Sequence, residues 1–212
     1  VHDGNDTINS GLGDDIIIAG GGDDVINSGA GNDVVKAGAG HDTIDGGDGD
    51  NDLSGGFGND TITAGTGNDT INAGDGKDII NAGDGNNTIN AGGDNDTITS
   101  GVGDDTIVAG DGDDTVNSGR GKDTIEGGDG IDTIKTGGGD DTISGGLGDD
   151  ILYGEQDNDI INGDEGDDLI YGGDGSDTLS GGAGDDRLEA GGGTTNILSG
   201  ESGEDTLIGG SG

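Results

Sequence analysis

The chain has no cysteine, which excludes disulfide staples and thiolate metal sites. It is also poor in base: 6 Lys and Arg face 47 Asp and Glu. Nucleic acid is excluded as a partner, because phosphate contacts need Lys and Arg, and an anionic membrane surface is excluded on the same ground. Aromatic residues make up 1% of 212 residues and apolar residues 25%, too little for a conventional core. No apolar run approaches membrane-spanning length and no signal peptide is visible, so membrane insertion is not expected. The chain begins at Val1, already inside a repeat, which suggests a processed product or an excerpt of a longer array.

What is present is glycine, 56 residues of it, and a net charge of -41. Composition alone predicts disorder, but the order of the residues predicts the opposite. From Asp6 to Asp186 an acidic or amide residue recurs every nine positions without insertion or deletion. Of these 21 slots 19 hold Asp, and Asn51 and Asn87 fill the other two. Two residues after each slot stands Ile, Val or Leu; two residues before it stands Gly, except at Asp94 and Asp157. A short fixed period is the mark of a solenoid, expected here to span 1–212 as one continuous array.

A single unit, Gly67-Asn68-Asp69-Thr70-Ile71-Asn72-Ala73-Gly74-Asp75, reads as turn and strand. Thr70-Ile71-Asn72 predicts a three-residue strand with Ile71 inward and its neighbours outward. Ala73 and Gly74 predict the start of a tight turn, where Gly permits positive φ. The residue just before each slot is usually Asn or Asp (Asn5, Asp14, Asn32, Asn59, Asp104, Asp149), types that tolerate a left-handed conformation. Two units, 18 residues, would close one coil, so the fold class is all-β: a β-solenoid of parallel coils with two short strands per coil. Its core would be two facing rows, 15 Ile among 21 inward slots, with Val35, Leu53, Val116, Leu152, Leu179 and Leu188 completing them. Burying one Ile contributes roughly 2 kcal/mol, whereas ordering nine residues costs on the order of 10 kcal/mol or more. Something besides the Ile rows must stabilise each turn.

Bound cations meet that need. Every candidate ligand is oxygen, a carboxylate or a carbonyl that glycine can turn toward an ion. With no Cys and only two isolated His, His2 and His41, zinc, copper and iron are disfavoured. Many flexible oxygens suit calcium better than magnesium. With one divalent ion in each of the 19 intervals between a slot and the next on its edge, calcium supplies about +38 against -41. The competing explanation, that Asp is only a turn signal, predicts Asn, Ser and Asp interchangeably; 19 Asp in 21 slots speak against it.

Gly145-Gly146-Leu147-Gly148-Asp149-Asp150-Ile151-Leu152 and Gly181-Gly182-Ala183-Gly184-Asp185-Asp186 carry the nonapeptide G-G-x-G-x-D-x-U-x, with U a large apolar residue. The unit resembles the repeat of the RTX (repeats-in-toxin) family across essentially the whole chain. The resemblance implies a right-handed parallel β-roll, folding after export, a secreted or cell-surface location, and multiple calcium ions between neighbouring turns. Alternate slots then belong to opposite edges. One ladder is Asp6, Asp24, Asp42, Asp60, Asp78, Asp96, Asp114, Asp132, Asp150, Asp168 and Asp186; the other is Asp15, Asp33, Asn51, Asp69, Asn87, Asp105, Asp123, Asp141, Asp159 and Asp177. Weaker or missing ions are expected beside Asn51 and Asn87. Candidate carbonyl ligands are Gly11, Gly13, Gly20, Gly22, Gly29, Gly31, Gly65, Gly67, Gly74, Gly76, Gly101, Gly103, Gly110, Gly112, Gly119, Gly121, Gly128, Gly130, Gly146 and Gly148.

Three departures stand out. Ala or Ser often replaces the first Gly of a pair, as in Ala73-Gly74 and Ser118-Gly119. Glu155, Asp157 and Asp164 replace turn glycines, which predicts distorted loops. After Asp186 one extra residue enters, so the next slots are Asn196 and Asp205, or else Thr195 in a shifted register; a bulge is expected around Gly191–Asn196.

No catalytic constellation and no cleft are recognisable, so no enzyme activity is expected. A structural extracellular protein is expected (filament, sheath, surface layer or adhesin stalk), with coils that stack end to end. The alternative is the calcium-dependent module of a larger secreted enzyme, toxin or adhesin. A minor alternative is ice binding by Thr, which follows 12 of 21 slots but on both faces. Tyr153 and Tyr171, 18 apart, are expected to stack, with a sugar platform as the weaker reading.

Overall fold

The computed structural model describes residues 3–210; Val1, His2, Ser211 and Gly212 lie outside them. The described chain is all strand and turn, winding two parallel sheets of 12 and 11 strands. The odd strands, from β1 (Thr7–Leu12) to β23 (Thr206–Ile208), form one sheet, and the even strands, from β2 (Ile16–Gly21) to β22 (Ile197–Ser202), form the other. Each strand pairs with the strand 18 residues on: Ile71 on β8 (Thr70–Asp75) lies beside Ile89 on β10 (Thr88–Gly93), and Ile89 beside Ile107 on β12 (Thr106–Asp111). The two-unit coil is thus the repeating structural element, as the nine-residue period implies.

Alternation of side chains puts the apolar position of each unit from Ile17 to Leu188 between the sheets. Ile26, Ile44, Leu53, Ile62, Ile71 and their successors as far as Leu188 are at most 1% exposed. The small residue two positions later is buried as well, as at Ala73, Ala91 and Ser118. Each strand therefore contributes one large and one small side chain to the interior.

The strands are longer than Thr-Ile-Asn predicts. Most run six residues, through the position expected to begin a turn, and only β5 (Thr43–Asp45), β7 (Thr61–Thr63), β9 (Ile79–Asn81) and β23 keep three. The chain bends inside the strand without leaving the ladder. Gly74 sits at φ 118°, in register between Gly56 and Gly92, and a Cβ on it would lie 2.0 Å from the Gly56 carbonyl oxygen. Glycine is required there for close stacking as well as for its dihedral.

Glu155, Asp157 and Asp164 do not distort their loops. They adopt φ 74°, 75° and 76°, the left-handed region, and Glu155 pairs in register with Gly137 and Gly173, Asp164 with Gly146 and Gly182. A non-Gly residue in this conformation costs about 1 kcal/mol, less than breaking a ladder that both neighbouring coils share. The residues before the slots differ from expectation in the other direction. Asn5, Asp14, Asn32, Asn59, Asp104 and Asp149 are absent from the positive-φ residues. Their side chains instead accept the backbone N–H of the equivalent residue one coil on: Asn32 N–H donates to Asp14 Oδ1 (2.9 Å) and Asn68 N–H to Asp50 Oδ1 (2.8 Å). Asn and Asp are selected there as acceptors in an outer, coil-to-coil ladder.

The extra residue after Asp186 is absorbed where the sequence places it. β21 (Arg187–Gly191) stops at Gly191, and pairing resumes with an offset of 19, Thr178 beside Ile197 and Arg187 beside Thr206. Asn196 and Asp205 occupy the slots, and Thr195 does not. Tyr153 and Tyr171 stack at 4.9 Å with planes 5° apart, and the Lys135 ammonium lies 5.2 Å from the Tyr153 ring centre. The rings turn their faces to each other rather than outward, contrary to a sugar platform. Thr lines both sheets, β8, β10 and β12 on one and β11 (Thr97–Val102) and β13 (Thr115–Arg120) on the other, so no single Thr face exists.

Candidate metal centre

Each slot residue closes the turn that leads into its strand, and the slot carboxylates are buried. From Asp24 to Asp186 every slot side chain is at most 2% exposed. One carboxylate oxygen is accounted for. Oδ1 of each slot accepts the backbone N–H of the slot one coil earlier, as from Asp96 N–H to Asp114 (2.6 Å) and from Asp114 N–H to Asp132 (2.8 Å). These bonds run unbroken from Asp6 to Asp205 on one edge and from Asp15 to Asn196 on the other. The sequence-predicted ladders are therefore physical ladders, each carboxylate tying its coil to the previous one.

The other oxygen has no partner. Oδ2 of all 19 slot aspartates from Asp6 to Asp186 is buried without a hydrogen bond. A buried carboxylate oxygen lacking a donor costs at least several kcal/mol, and here that cost recurs at every coil. The two Asn slots reveal what faces that oxygen. Asn51 Nδ2 donates to the carbonyls of Gly49 (3.0 Å), Gly47 (3.5 Å) and Ala64 (3.5 Å). Asn87 Nδ2 donates likewise to Gly85 (3.0 Å) and Gly83 (3.4 Å). The same backbone surrounds an Asp slot, so Oδ2 there looks onto carbonyl oxygens two and four residues back and onto one from the next coil. Oxygens facing oxygens without a proton between them require a cation.

The glycines proposed as carbonyl ligands, from Gly11 and Gly13 to Gly146 and Gly148, all occupy those two positions, four and two residues before a slot. The third carbonyl, five residues before the following slot on the same edge, was not foreseen; its only signal in sequence is that its residue is always small. Glycine at that place brings the carboxylate close: a Cβ on Gly145 would stand 2.4 Å from Asp150 Oδ2 and 2.7 Å from the Gly163 carbonyl. Among the described residues no three His, Cys, Asp or Glu side chains converge to hold a metal. The donor set is carboxylate plus main-chain carbonyl, hard oxygen throughout, and fits calcium rather than zinc or copper.

Burial dominates the titration of these groups. It pushes Asp60, Asp96, Asp150 and Asp159 up to about 7, with neighbouring slot carboxylates adding to the rise and the ladder N–H opposing it. Asp78, Asp114, Asp132, Asp141 and Asp168 are pushed to about 6, again chiefly by burial. At Asp105 and Asp123 burial also raises the value, and the ladder N–H of Asn87 and of Asp105 opposes it. Without a cation these carboxylates keep their protons far above the usual carboxylate range, up to about pH 6 to 7; a bound divalent ion reverses that balance.

No curated protein sequence matches the chain. The sequence profile of the RTX calcium-binding nonapeptide repeat matches it nine times, over residues 2–35, 29–62, 54–89, 63–98, 90–125, 126–161, 153–188, 162–195 and 190–212. Periodicity, the parallel two-strand coil and a cradle of carboxylate and main-chain carbonyls at the Asp slots agree with that match, and the chain belongs to the RTX calcium-binding nonapeptide repeat family.

Proposed function

We propose that this chain is a rod whose folding is set by calcium: unfolded or expanded where calcium is scarce, wound into the two-sheet roll where calcium is millimolar, the regime of extracellular modules. The observation that carries this reading is the row of 19 buried, unpartnered Oδ2 atoms. Calcium supplies positive charge and several coordination bonds at that point. The chain supplies the rest: Oδ1 fixes each carboxylate by accepting the previous slot's N–H, glycine turns the carbonyls inward, and the Ile rows keep water from the sheet interior. Each cradle draws oxygens from two coils, so occupancy ties coil to coil and offsets the self-repulsion of a -41 chain.

The rod is suited to a secreted, non-enzymatic, structural role, in a filament, sheath, surface layer or adhesin stalk, or as the calcium-dependent part of a larger secreted protein. Far-ultraviolet circular dichroism and sedimentation velocity at pH 7.5 test the calcium reading. Addition of a few millimolar calcium to chelator-treated protein is expected to produce β signal and a sharp fall in frictional ratio, and equal magnesium to produce little of either. End-to-end association with calcium favours the filament; a persistent monomer favours the module. A compact, β-rich chain in chelator at pH 7.5 would overturn the reading.

A further inference from the structure

The two edges of the roll differ in a way that neither the spacing nor the family match records. The difference lies in the residue five before each slot, whose carbonyl also belongs to the cradle one coil earlier. On the edge that runs from Asp24 to Asp205 this residue is Ala or Gly at every slot, from Ala19 to Gly200, and brings no donor. On the edge that runs from Asp15 to Asn196 it is Ser or Thr at five slots, and each hydroxyl is spent on the carbonyl of its own cradle. Ser10 Oγ donates to Ser28 O (2.7 Å), Ser28 Oγ to Gly46 O (2.9 Å), and Ser100 Oγ to Ser118 O (2.9 Å). Ser118 Oγ donates to Thr136 O (3.2 Å), and Thr136 Oγ1 to Gly154 O (2.9 Å). Three further slots on this edge hold Asn. The amides of Asn51 and Asn87 donate to the cradle carbonyls as described, and Asn196 Nδ2 donates to Gly192 O (2.7 Å).

We propose that the edges are two classes of calcium site: a tight edge, Asp6 to Asp205, whose cradles contain only acceptors, and a weak edge, Asp15 to Asn196, where built-in donors take the cation's place. The proposal rests on the calcium reading above and specifies which slots respond at which concentration. An N–H or O–H pointing at a cradle carbonyl does in part what the ion does. It satisfies the oxygen, places a positive dipole end near the ion's position, and must be displaced or turned for the ion to bind. At Asn51, Asn87 and Asn196 the carboxylate charge is gone too, so these slots are closed without calcium. One net hydrogen bond to be given up corresponds to roughly a fivefold to tenfold loss of affinity, and loss of the carboxylate to a larger one. On the weak edge only Asp69, Asp159 and Asp177 have neither a hydroxyl five residues before them nor an amide in the slot. Asp69 lies between the two Asn slots, accepting Asn51 N–H and donating its own N–H to Asn87.

The test compares the wild-type chain with two multiple variants, by equilibrium dialysis of calcium at pH 7.5 and by calcium anomalous density in crystals grown at limiting calcium. The first variant, Ser100→Ala with Ser118→Ala and Thr136→Ala, installs at the weak edge the small residue the tight edge uses. It is expected to move three sites into the tight class, a fivefold to tenfold gain at each. The second, Asn51→Asp with Asn87→Asp, is expected to add two sites. In the wild type, anomalous peaks should fill the Asp6–Asp205 edge first. Equal filling of both edges, or hydroxyl-stripped sites that bind no tighter or more weakly, would overturn the proposal. Absence of any calcium binding by the wild type at millimolar concentration would instead defeat the calcium reading beneath it.

Discussion

Freed of divalent cations, the chain is expected to be folded at pH 5 and unfolded at pH 8. The sign follows from burial. Asp60 rises from 3.8 to about 7 in the fold, and Asp96, Asp150 and Asp159 reach about 7 as well. A carboxyl whose folded value lies above its unfolded one binds its proton more tightly in the folded state. Its contribution is present in full below about pH 4 and is lost as pH rises through 6 to 7. Each slot that shifts this far makes the ion-free fold worse by a few kcal/mol over that window, and the slots act in the same direction. A protonated Oδ2 also becomes a donor, able to do at an Asp slot what the amide does at Asn51. Circular dichroism of chelator-treated, dialysed protein between pH 4.5 and 8 measures this. The β signal should fall with rising pH and return at pH 8 on addition of calcium. An ion-free sheet content that stays level or increases toward pH 8 would contradict the burial argument.

The second large effect is a reversal of sign at one residue. Asp114 is 2% exposed, accepts Asp96 N–H through Oδ1 at 2.6 Å, and leaves Oδ2 unpartnered. Asp114→Asn keeps the acceptor, removes the charge and supplies an amide, reproducing Asn51. In saturating calcium it is expected to cost about 3 kcal/mol, the stabilisation one ion gives at about a hundred times its dissociation constant. In ion-free buffer at pH 8 it is expected to stabilise the roll instead, because a buried charge without a partner is gone. Asp114→Ala is expected to be harmful under both conditions, since it also strips the acceptor from Asp96 N–H, a loss of about 1–3 kcal/mol. Urea unfolding of the three proteins with calcium at pH 7.5 and without it at pH 5, together with the pH at which each loses its ion-free β signal, separates these effects. If Asn and Ala behave alike, the amide is not acting in the cation's place.

Much of this arrangement is legible in the sequence because the chain repeats one decision. The nine-residue spacing of Asp gives the coil; the phase of Ile71 and its equivalents gives the buried row; the offset after Asp186 gives the place where the register slips. These are one-dimensional facts that a parallel stack with a fixed 18-residue step turns directly into neighbours. What the sequence conceals depends on direction rather than spacing. Asn32 and Asp50 look like turn residues suited to positive φ, yet they serve as acceptors for the next coil, because an Asn or Asp side chain can reach the N–H above it only once the coils are stacked. Gly74 looks like the end of a strand, yet the ladder continues through it, since a bend shared by every coil breaks no pairing. Ser100 and Ala91 look like interchangeable small residues. Only the structure shows that one hydroxyl is directed at a carbonyl of the cradle, which gives meaning to the fact that residues of this kind lie on one ladder alone.

The donors on the weak edge and the charge on the tight one are two solutions to the same requirement, a partner for buried oxygens at each turn. The most direct test of that requirement is the number of calcium ions bound per chain at pH 7.5, measured by equilibrium dialysis alongside the β signal. The account predicts that many ions, at least the eleven slots from Asp6 to Asp186 on the intact edge, bind in step with the appearance of the sheets. A chain that forms its sheets while binding none, or only one or two ions, would contradict it.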